Sequence, residues 1–193
     1  MGNWNTTWGQ SKITKWQLQS SIGWWFYDQA FTFDGSPGFG LGIGYRTHDF
    51  LQLNLDFKFS PTQKRISTAI SHLHLKMLIY NYSLNLKMSK HFFHVNKLQP
   101  FLNLGVGGVL MQPLERTVDF GVLKKIDLNL SPDYKWAFNF GIGMILTIMP
   151  KLRLQVLYQR YYFLANRIIN EEPGDKSKVH RNHYLGIGLA TSF

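Results

Sequence analysis

The sequence contains no cysteine, which excludes disulfides, thiol nucleophiles and cysteine-based metal sites. It also has no run close to the ~20 consecutive apolar residues that a transmembrane helix requires, so a helical membrane protein is excluded. Residues 1–8 show no basic segment followed by an apolar one, and an exported chain is therefore expected to have lost its signal already. Hydrolase, phosphate-loop and paired-carboxylate motifs are absent as well.

Apolar residues are abundant but are diluted by polar residues at nearly every second position. They make up 45% of the chain and aromatics make up 16%, yet the mean hydropathy is only −0.16. The length of 193 residues fits a single domain. A formal charge of +10 indicates an anionic neighbour such as nucleic acid, phospholipid or lipopolysaccharide. Because the basic residues are scattered over separate segments, nucleic acid is not expected as a partner.

Alternation with a period of two dominates from residue 13 to the end of the sequence, and this period is typical of β-strands. The apolar parity changes within the fourth strand, where a β-bulge near Met77–Ile79 would reconcile the two halves. The pattern predicts eight strands at about residues 15–26, 38–45, 51–59, 73–88, 102–107, 136–148, 152–159 and 185–193.

The predicted connections alternate in length, as they do in outer-membrane barrels with long extracellular loops and short periplasmic turns. We therefore predict an all-β fold: a closed, antiparallel, up-and-down, eight-stranded transmembrane barrel over residues 13–193. Residues 1–12 are expected to form an N-terminal periplasmic segment. The long links are 27–36, 60–70, 112–133 and 165–182, and the short ones are 46–49, 89–98 and 149–151.

Alternation alone does not say which face of the barrel is outside, and a lipocalin-like soluble barrel would bury its apolar face. The polar face here is rich in glycine and amides and poor in charge, which suits the narrow interior of a small barrel. Aromatic residues near strand ends further favour an interfacial girdle and a lipid-facing apolar surface. The girdle residues are expected to be Trp24, Trp25, Phe26, Tyr27, Phe59, Tyr134, Trp136, Tyr161 and Tyr162.

Residues 184–193 and 100–107 resemble segments of small outer-membrane barrels of the OmpA-like and OmpX-like kind. Residues 184–193 are similar to a C-terminal assembly signal, with alternating apolar residues and a terminal aromatic, Phe193. Residues 100–107 resemble a strand in which a proline–aromatic pair precedes two alternate glycines. The resemblance implies a location in a Gram-negative outer membrane, contact with lipid and lipopolysaccharide, and insertion by the barrel assembly machinery.

The polar parity predicts a lumen network that fills the barrel. Asp56 is expected to neutralise a neighbouring base within this hydrogen-bonded plug, because an eight-stranded barrel has little interior space. A conductive pore or a passage for small molecules is the alternative. The network is predicted to contain Lys15, Gln17, Gln52, Asn54, Asp56, Lys58, Asn103, Asn139, Arg153 and Gln155.

Basic residues near the predicted extracellular end match the level of lipid A phosphates, and arginine suits bidentate phosphate contacts. The residues predicted to contact lipopolysaccharide are Arg160, Arg167, Lys178 and Arg181. Ordinary solvated loop charge is the competing interpretation. The 112–133 segment is the loop expected to meet a protein partner.

Histidines provide the remaining candidate chemistry. His72 and His74 share one face of a strand and His183 begins another, but no acid lies nearby in sequence to orient an imidazole base. No catalytic residue, metal or cofactor is therefore expected. The favoured function is a non-enzymatic structural, surface-interaction or envelope-complex role without a useful pore. The alternative is a lipid A-modifying enzyme or a narrow transporter of small hydrophobic molecules.

Overall fold

The computed structural model describes residues 16–28, 33–67, 72–89, 97–114, 117–119, 125–127, 132–165 and 178–193. Their strands are β1 (Trp16–Phe26), β2 (Ser36–His48), β3 (Leu51–Ser67), β4 (His72–Ser89), β5 (Leu98–Pro113), β6 (Thr117–Asp119), β7 (Lys125–Asp127), β8 (Asp133–Met149), β9 (Leu152–Ala165) and β10 (Lys178–Ser192). Within these ranges no helix is long and apolar enough to cross a membrane.

Eight of the strands close into an antiparallel barrel in the order β1-β10-β9-β8-β5-β4-β3-β2. Sequential barrel strands are neighbours throughout, and β1 pairs with β10 to close the cylinder. The short strands β6 and β7 pair with each other as a separate two-stranded antiparallel sheet inside the 112–133 segment. The predicted fold class is confirmed.

The outer surface of the barrel is a continuous apolar band. Leu41 and Ile22 are each 64% exposed, although both lie in the middle of their strands. Such a surface is stable only against hydrocarbon, and a closed barrel leaves no strand edge unpaired there. The apolar face therefore points outward, as predicted, and the soluble-barrel alternative is excluded.

Several strands run farther toward the extracellular end than the hydropathy pattern indicated. β3 continues to Ser67 and β4 begins at His72, so most of the predicted 60–70 loop is strand. β5 likewise reaches Pro113, and β10 starts at Lys178. Among the described side chains, Gln63, Gln112 and Arg181 lie on the outer face of these extensions, so the apolar–polar alternation used to find strands is lost there.

The predicted β-bulge at Met77–Ile79 is wrong. β3 and β4 pair without interruption there, with Pro61 opposite Leu78 and Ser60 opposite Ile79. Leu75, Met77 and Ile79 all point into the barrel, and the apolar residues after them point outward. The register shifts observed in the structure lie instead at the β2–β3 and β8–β9 turns, at the opposite end.

The barrel core has two apolar parts near the extracellular end of the lumen. One is an aromatic layer formed by Trp25, Tyr161 and Tyr184, all nearly or fully buried. Trp25, Tyr27 and Tyr161 therefore do not belong to the predicted lipid-facing girdle, because their parity turns them inward. The second part, which we call the upper cluster, consists of Leu75, Met77, Ile79, Val109, Met111, Ala137 and Phe163.

Tyr27 joins these two parts. Its ring stacks on Trp25 with the ring centroids 6.2 Å apart, and it also packs against the upper cluster. Burial raises the pKa of Tyr27 to about 12, so its hydroxyl stays neutral under ordinary conditions.

Candidate functional site

The periplasmic half of the lumen holds a network of amides that crosses the barrel, which we call the lower network. Gln52 Nε2 donates to Gln17 Oε1 at 2.7 Å, and Gln19 Nε2 donates to Asn54 Oδ1 at 2.9 Å. Gln155 Nε2, from the far side of the barrel, donates to Gln19 Oε1 at 3.0 Å. Strands β1, β3 and β9 are thus tied together through the interior.

Lys58 is buried in the middle of the lumen, directly against the aromatic layer. Its Nζ donates to Gln159 Oε1 at 2.8 Å and to Tyr161 Oη at 3.1 Å. The same ammonium lies 5.3 Å from the Tyr184 ring centroid, within cation–π range. Amide, phenol and ring face together replace the water that this charge has lost.

Lys87 and Asp56 lie nearer the periplasmic end. Lys87 Nζ donates to Gln155 Oε1 at 2.7 Å and stands 4.1 Å from the Phe101 ring centroid. The Asp56 carboxylate accepts from Asn85 Nδ2 at 2.6 Å. Asp56 also attracts both buried lysines electrostatically. The described lumen therefore carries more positive than negative charge.

The structure places most of the predicted lumen residues on the inner face of the wall. Lys15 lies outside the described residues. Arg153 is half-buried, and its Nε has no hydrogen-bond partner among the described residues. The inward-facing residues are Gln17, Gln52, Asn54, Asp56, Lys58, Asn103, Asn139, Arg153 and Gln155.

Little free space remains around this network. A cavity beside Asp56 and Lys58 has a volume of about 30 Å³, which is about the volume of one water molecule. The space around Gly105 is equally small, because a Cβ atom at this position would overlap the side-chain amides of Asn85 and Asn139. The polar side chains fill the cylinder as a plug.

A second group of polar residues lies on the outer surface, on β9 and β10. Arg160 and His183 are register partners, as are Tyr162 and Arg181. The Tyr158 hydroxyl hydrogen-bonds to Nδ1 of His183 at 2.6 Å, and the Arg160 guanidinium lies 5.5 Å from the Tyr162 ring centroid. We call Tyr158, Arg160, Tyr162, Arg181 and His183 the outer basic patch.

The outer basic patch lies at the extracellular membrane boundary. A strand crosses the hydrocarbon in about 9–11 residues, and β9 begins at Leu152 near the periplasmic end. Arg160 and Tyr162 therefore reach the outer headgroup level. Arg160 Nε is buried and has no hydrogen-bond partner among the described residues. A cation in this position is suited to an anionic headgroup.

The other sequence candidates stand apart from this patch or outside the described part. Arg167 is not among the described residues, and of Lys178 only the backbone in β10 is described. The same holds for His72 and His74 in β4. Across the described ranges there is no group of three or more potential metal ligands. Sequence reasoning missed Tyr158 and the pairing of Arg160 with His183, because that pairing depends on the β9–β10 register.

Comparison with solved structures identifies the architecture. No family model and no curated protein matches the chain. Neisserial surface protein A superimposes with a TM-score of 0.63 at 15% identity, covering 92% of this chain and 97% of that one. The outer membrane protein OprG from Pseudomonas aeruginosa gives 0.52 at 13%, covering 93% and 97%. The outer membrane protein AlkL gives 0.53 at 15%, covering 100% and 97%.

This chain has the fold of the small eight-stranded outer-membrane barrels. The resemblance found in residues 100–107 and 184–193 is confirmed at the level of architecture. A location in a bacterial outer membrane agrees with both the fold and the apolar band on the exterior.

Proposed function

We propose that this outer-membrane barrel binds lipopolysaccharide phosphate groups through the outer basic patch, while its plugged lumen conducts no solute. Its role is structural: it anchors surface segments and holds the outer leaflet around them. The 112–133 segment is the part proposed to meet a protein partner, and Phe193 is proposed as the residue read by the barrel assembly machinery.

The outward cluster of Arg160, Arg181 and His183 is the observation that carries this proposal. Arg160 and Arg181 are diagonal neighbours on adjacent antiparallel strands, and such residues stand roughly 7–8 Å apart. Two guanidinium groups at that spacing suit one phosphate between them or two phosphates side by side.

Passage of solutes through the lumen is the alternative function. The side chains of the upper cluster are buried and pack against one another near the extracellular end of the lumen. Below them a solute would meet the aromatic layer and then the lower network, where the cavity beside Asp56 and Lys58 has a volume of only about 30 Å³. Lipid A modification has less support, because the His183 ring is engaged by Tyr158 instead of by an acid–nucleophile pair.

The test replaces Arg160 and Arg181 together with glutamine. We expect lipopolysaccharide binding to fall on the order of a hundredfold, since each charge-assisted hydrogen bond to an ion contributes at least about 1.5 kcal/mol and two are removed. Mass spectrometry of bound lipid and the thermal unfolding midpoint with and without added lipopolysaccharide would measure the loss.

Lys97 and Lys151 provide the matched control, because both are exposed at the periplasmic end. Changing them to glutamine removes the same amount of charge and should leave lipopolysaccharide retention unchanged. Equal retention by the arginine variant and the wild type would refute the proposed contact.

A further inference from the structure

The barrel exterior carries a large apolar groove in addition to the outer basic patch. Its volume is about 960 Å³ and nearly all of its lining is apolar; ligand sites usually have volumes of about 300–1,000 Å³. The groove crosses strands β4, β5, β8, β9 and β10. Its outward-facing side chains include Met88, Leu102, Ile142, Val156, Tyr158 and Leu185.

The groove follows a row of register partners around the wall. Met88 pairs with Leu102, Leu102 with Ile142, Ile142 with Tyr158, and Tyr158 with Leu185. With neighbouring strands about 4.8 Å apart, this row is roughly 19 Å long. Because the strands are tilted, the row descends from Leu185 near the outer leaflet to Met88 beside the periplasmic end of β4.

Tyr158 connects the groove to the outer basic patch. Its ring lines the upper end of the groove, and its hydroxyl hydrogen-bonds to His183, the register partner of Arg160. The cationic patch at headgroup level thus continues directly into the apolar groove, which runs along the barrel exterior through the hydrocarbon. The arrangement matches a lipid with a phosphorylated head and a long acyl chain.

We propose that the groove takes one acyl chain of the same phosphorylated glycolipid whose phosphate meets Arg160 and Arg181. This inference rests on the proposed function, because the patch selects the head and the groove selects the chain. The bound glycolipid is then held at a fixed position on the face formed by β10, β9, β8, β5 and β4, and does not exchange freely with the surrounding lipids.

The groove affects which lipid is bound more than how tightly the lipid is bound. An acyl chain that leaves bulk hydrocarbon for the groove gains no hydrophobic free energy, since lipid tails are as apolar as the lining. It gains contacts with a shaped surface, each small but numerous. The headgroup contact therefore dominates binding, and the groove separates lipids by chain number and length.

The experiment fills the groove without changing any charge. Val156→Trp and, separately, Ile142→Trp each place an indole in the groove. An outward-facing aromatic side chain at these positions remains compatible with lipid. Leu41→Trp is the control, since Leu41 is equally lipid-facing but lies on β2, outside the groove. Native mass spectrometry from detergent would measure binding of fully acylated lipid A, of its completely deacylated bisphosphorylated disaccharide, and of phosphatidylglycerol.

We expect both groove variants to weaken lipid A binding by about threefold to tenfold, with the disaccharide unaffected and Leu41→Trp like the wild type. Wild-type lipid A binding by both groove variants would overturn the inference and leave the proposed function intact. An equal loss of phosphatidylglycerol would also overturn it, because the groove would then accept any acyl chain. The proposed function fails separately if Arg160→Gln with Arg181→Gln binds the disaccharide normally.

Discussion

The periplasmic and extracellular halves of the lumen differ in chemistry although the same strands build both. In the lower network, amides and ammonium groups hydrogen-bond across the cylinder, whereas the corresponding inward positions of β4 higher up are Leu75, Met77 and Ile79. The outer face changes in the opposite sense, from Leu84 and Leu86 in the membrane to exposed Lys76 above it. On the side built by β4, β5, β8 and β9 the barrel is polar-inside within the bilayer and apolar-inside above it, as in a soluble barrel. On the β3 side, buried Ser60 and Thr62 keep the upper level polar.

This difference shows that the surroundings determine which side chains the outer face can carry. The lumen only needs to be filled, with its polar groups hydrogen-bonded. A lipid environment requires apolar residues on the outside of the barrel, whereas the interior can hold either polar or apolar residues. Four substitutions would challenge or refine the comparison.

Trp25→Ala should have the largest effect, because Trp25 is fully buried where the two halves meet. Its ring contacts Tyr161 at 5.1 Å and Tyr184 at 5.0 Å between centroids. Truncating a buried tryptophan costs about 3–5 kcal/mol, which urea unfolding in lipid vesicles would measure. Trp24→Ala, on the lipid-facing side of the same strand, is the control. Equal losses in the two variants would contradict the assignment of a central aromatic layer.

Asp56→Asn probes the lower network alone. The substitution keeps the shape of the side chain but removes the negative charge near Lys58 and Lys87, and uncompensated buried charge costs about 3 kcal/mol. Asp133→Asn breaks the 3.0 Å ion pair with Lys135 at the extracellular rim, where about 1 kcal/mol or less is expected. An Asp56 variant as stable as the Asp133 variant would show that the lower network does not depend on that charge.

Ile79→Asn probes the upper cluster. An amide placed among buried apolar side chains should lower the free energy of unfolding by about 2–3 kcal/mol. The volume-conserving change Ile79→Leu should cost less than about 1.5 kcal/mol. Equal free energies of unfolding for Ile79→Asn and Ile79→Leu would mean that water reaches the upper cluster, and the contrast between the two halves of the lumen would disappear.

Asn81→Leu should have the smallest effect. Asn81 is the next inward residue of β4 below Ile79, and neither polar atom of its amide has a hydrogen-bond partner among the described residues. Leucine would move the boundary between apolar and polar lumen residues one position downward. The free energy of unfolding should change by no more than about 1 kcal/mol, in either direction. A loss above about 2 kcal/mol in the same unfolding assay would mean that this amide is engaged by water or by a neighbour.

The sequence predicted the membrane-spanning strands well, because lipid imposes a regular alternation on them. Residues 51–59 and 136–148 show this clearly, and both lie inside observed strands. The tight turn at 149–151 was also placed correctly, since a proline interrupts the pattern there. Above the membrane the outer face becomes polar, the alternation weakens, and β3, β5, β9 and β10 were predicted too short.

The parity change in β4 was noticed but interpreted incorrectly. A bulge and a reversal of polarity produce the same shift in the apolar positions, and only the unbroken register with β3 distinguishes them. Part of the outer basic patch was predicted from charge, as Arg160 and Arg181. Its neighbours Tyr158 and His183 follow only from strand pairing across residues far apart in sequence, which periodicity does not encode.

The pairing of β1 with β10 has a consequence for biogenesis. The first strand of the cylinder cannot acquire its second neighbour until the last strand has arrived, so the wall keeps two open edges for as long as any part of the chain is still missing. Such edges invite association between nascent chains. The two edge strands of such a barrel are therefore expected to need protection from other chains until they pair with each other.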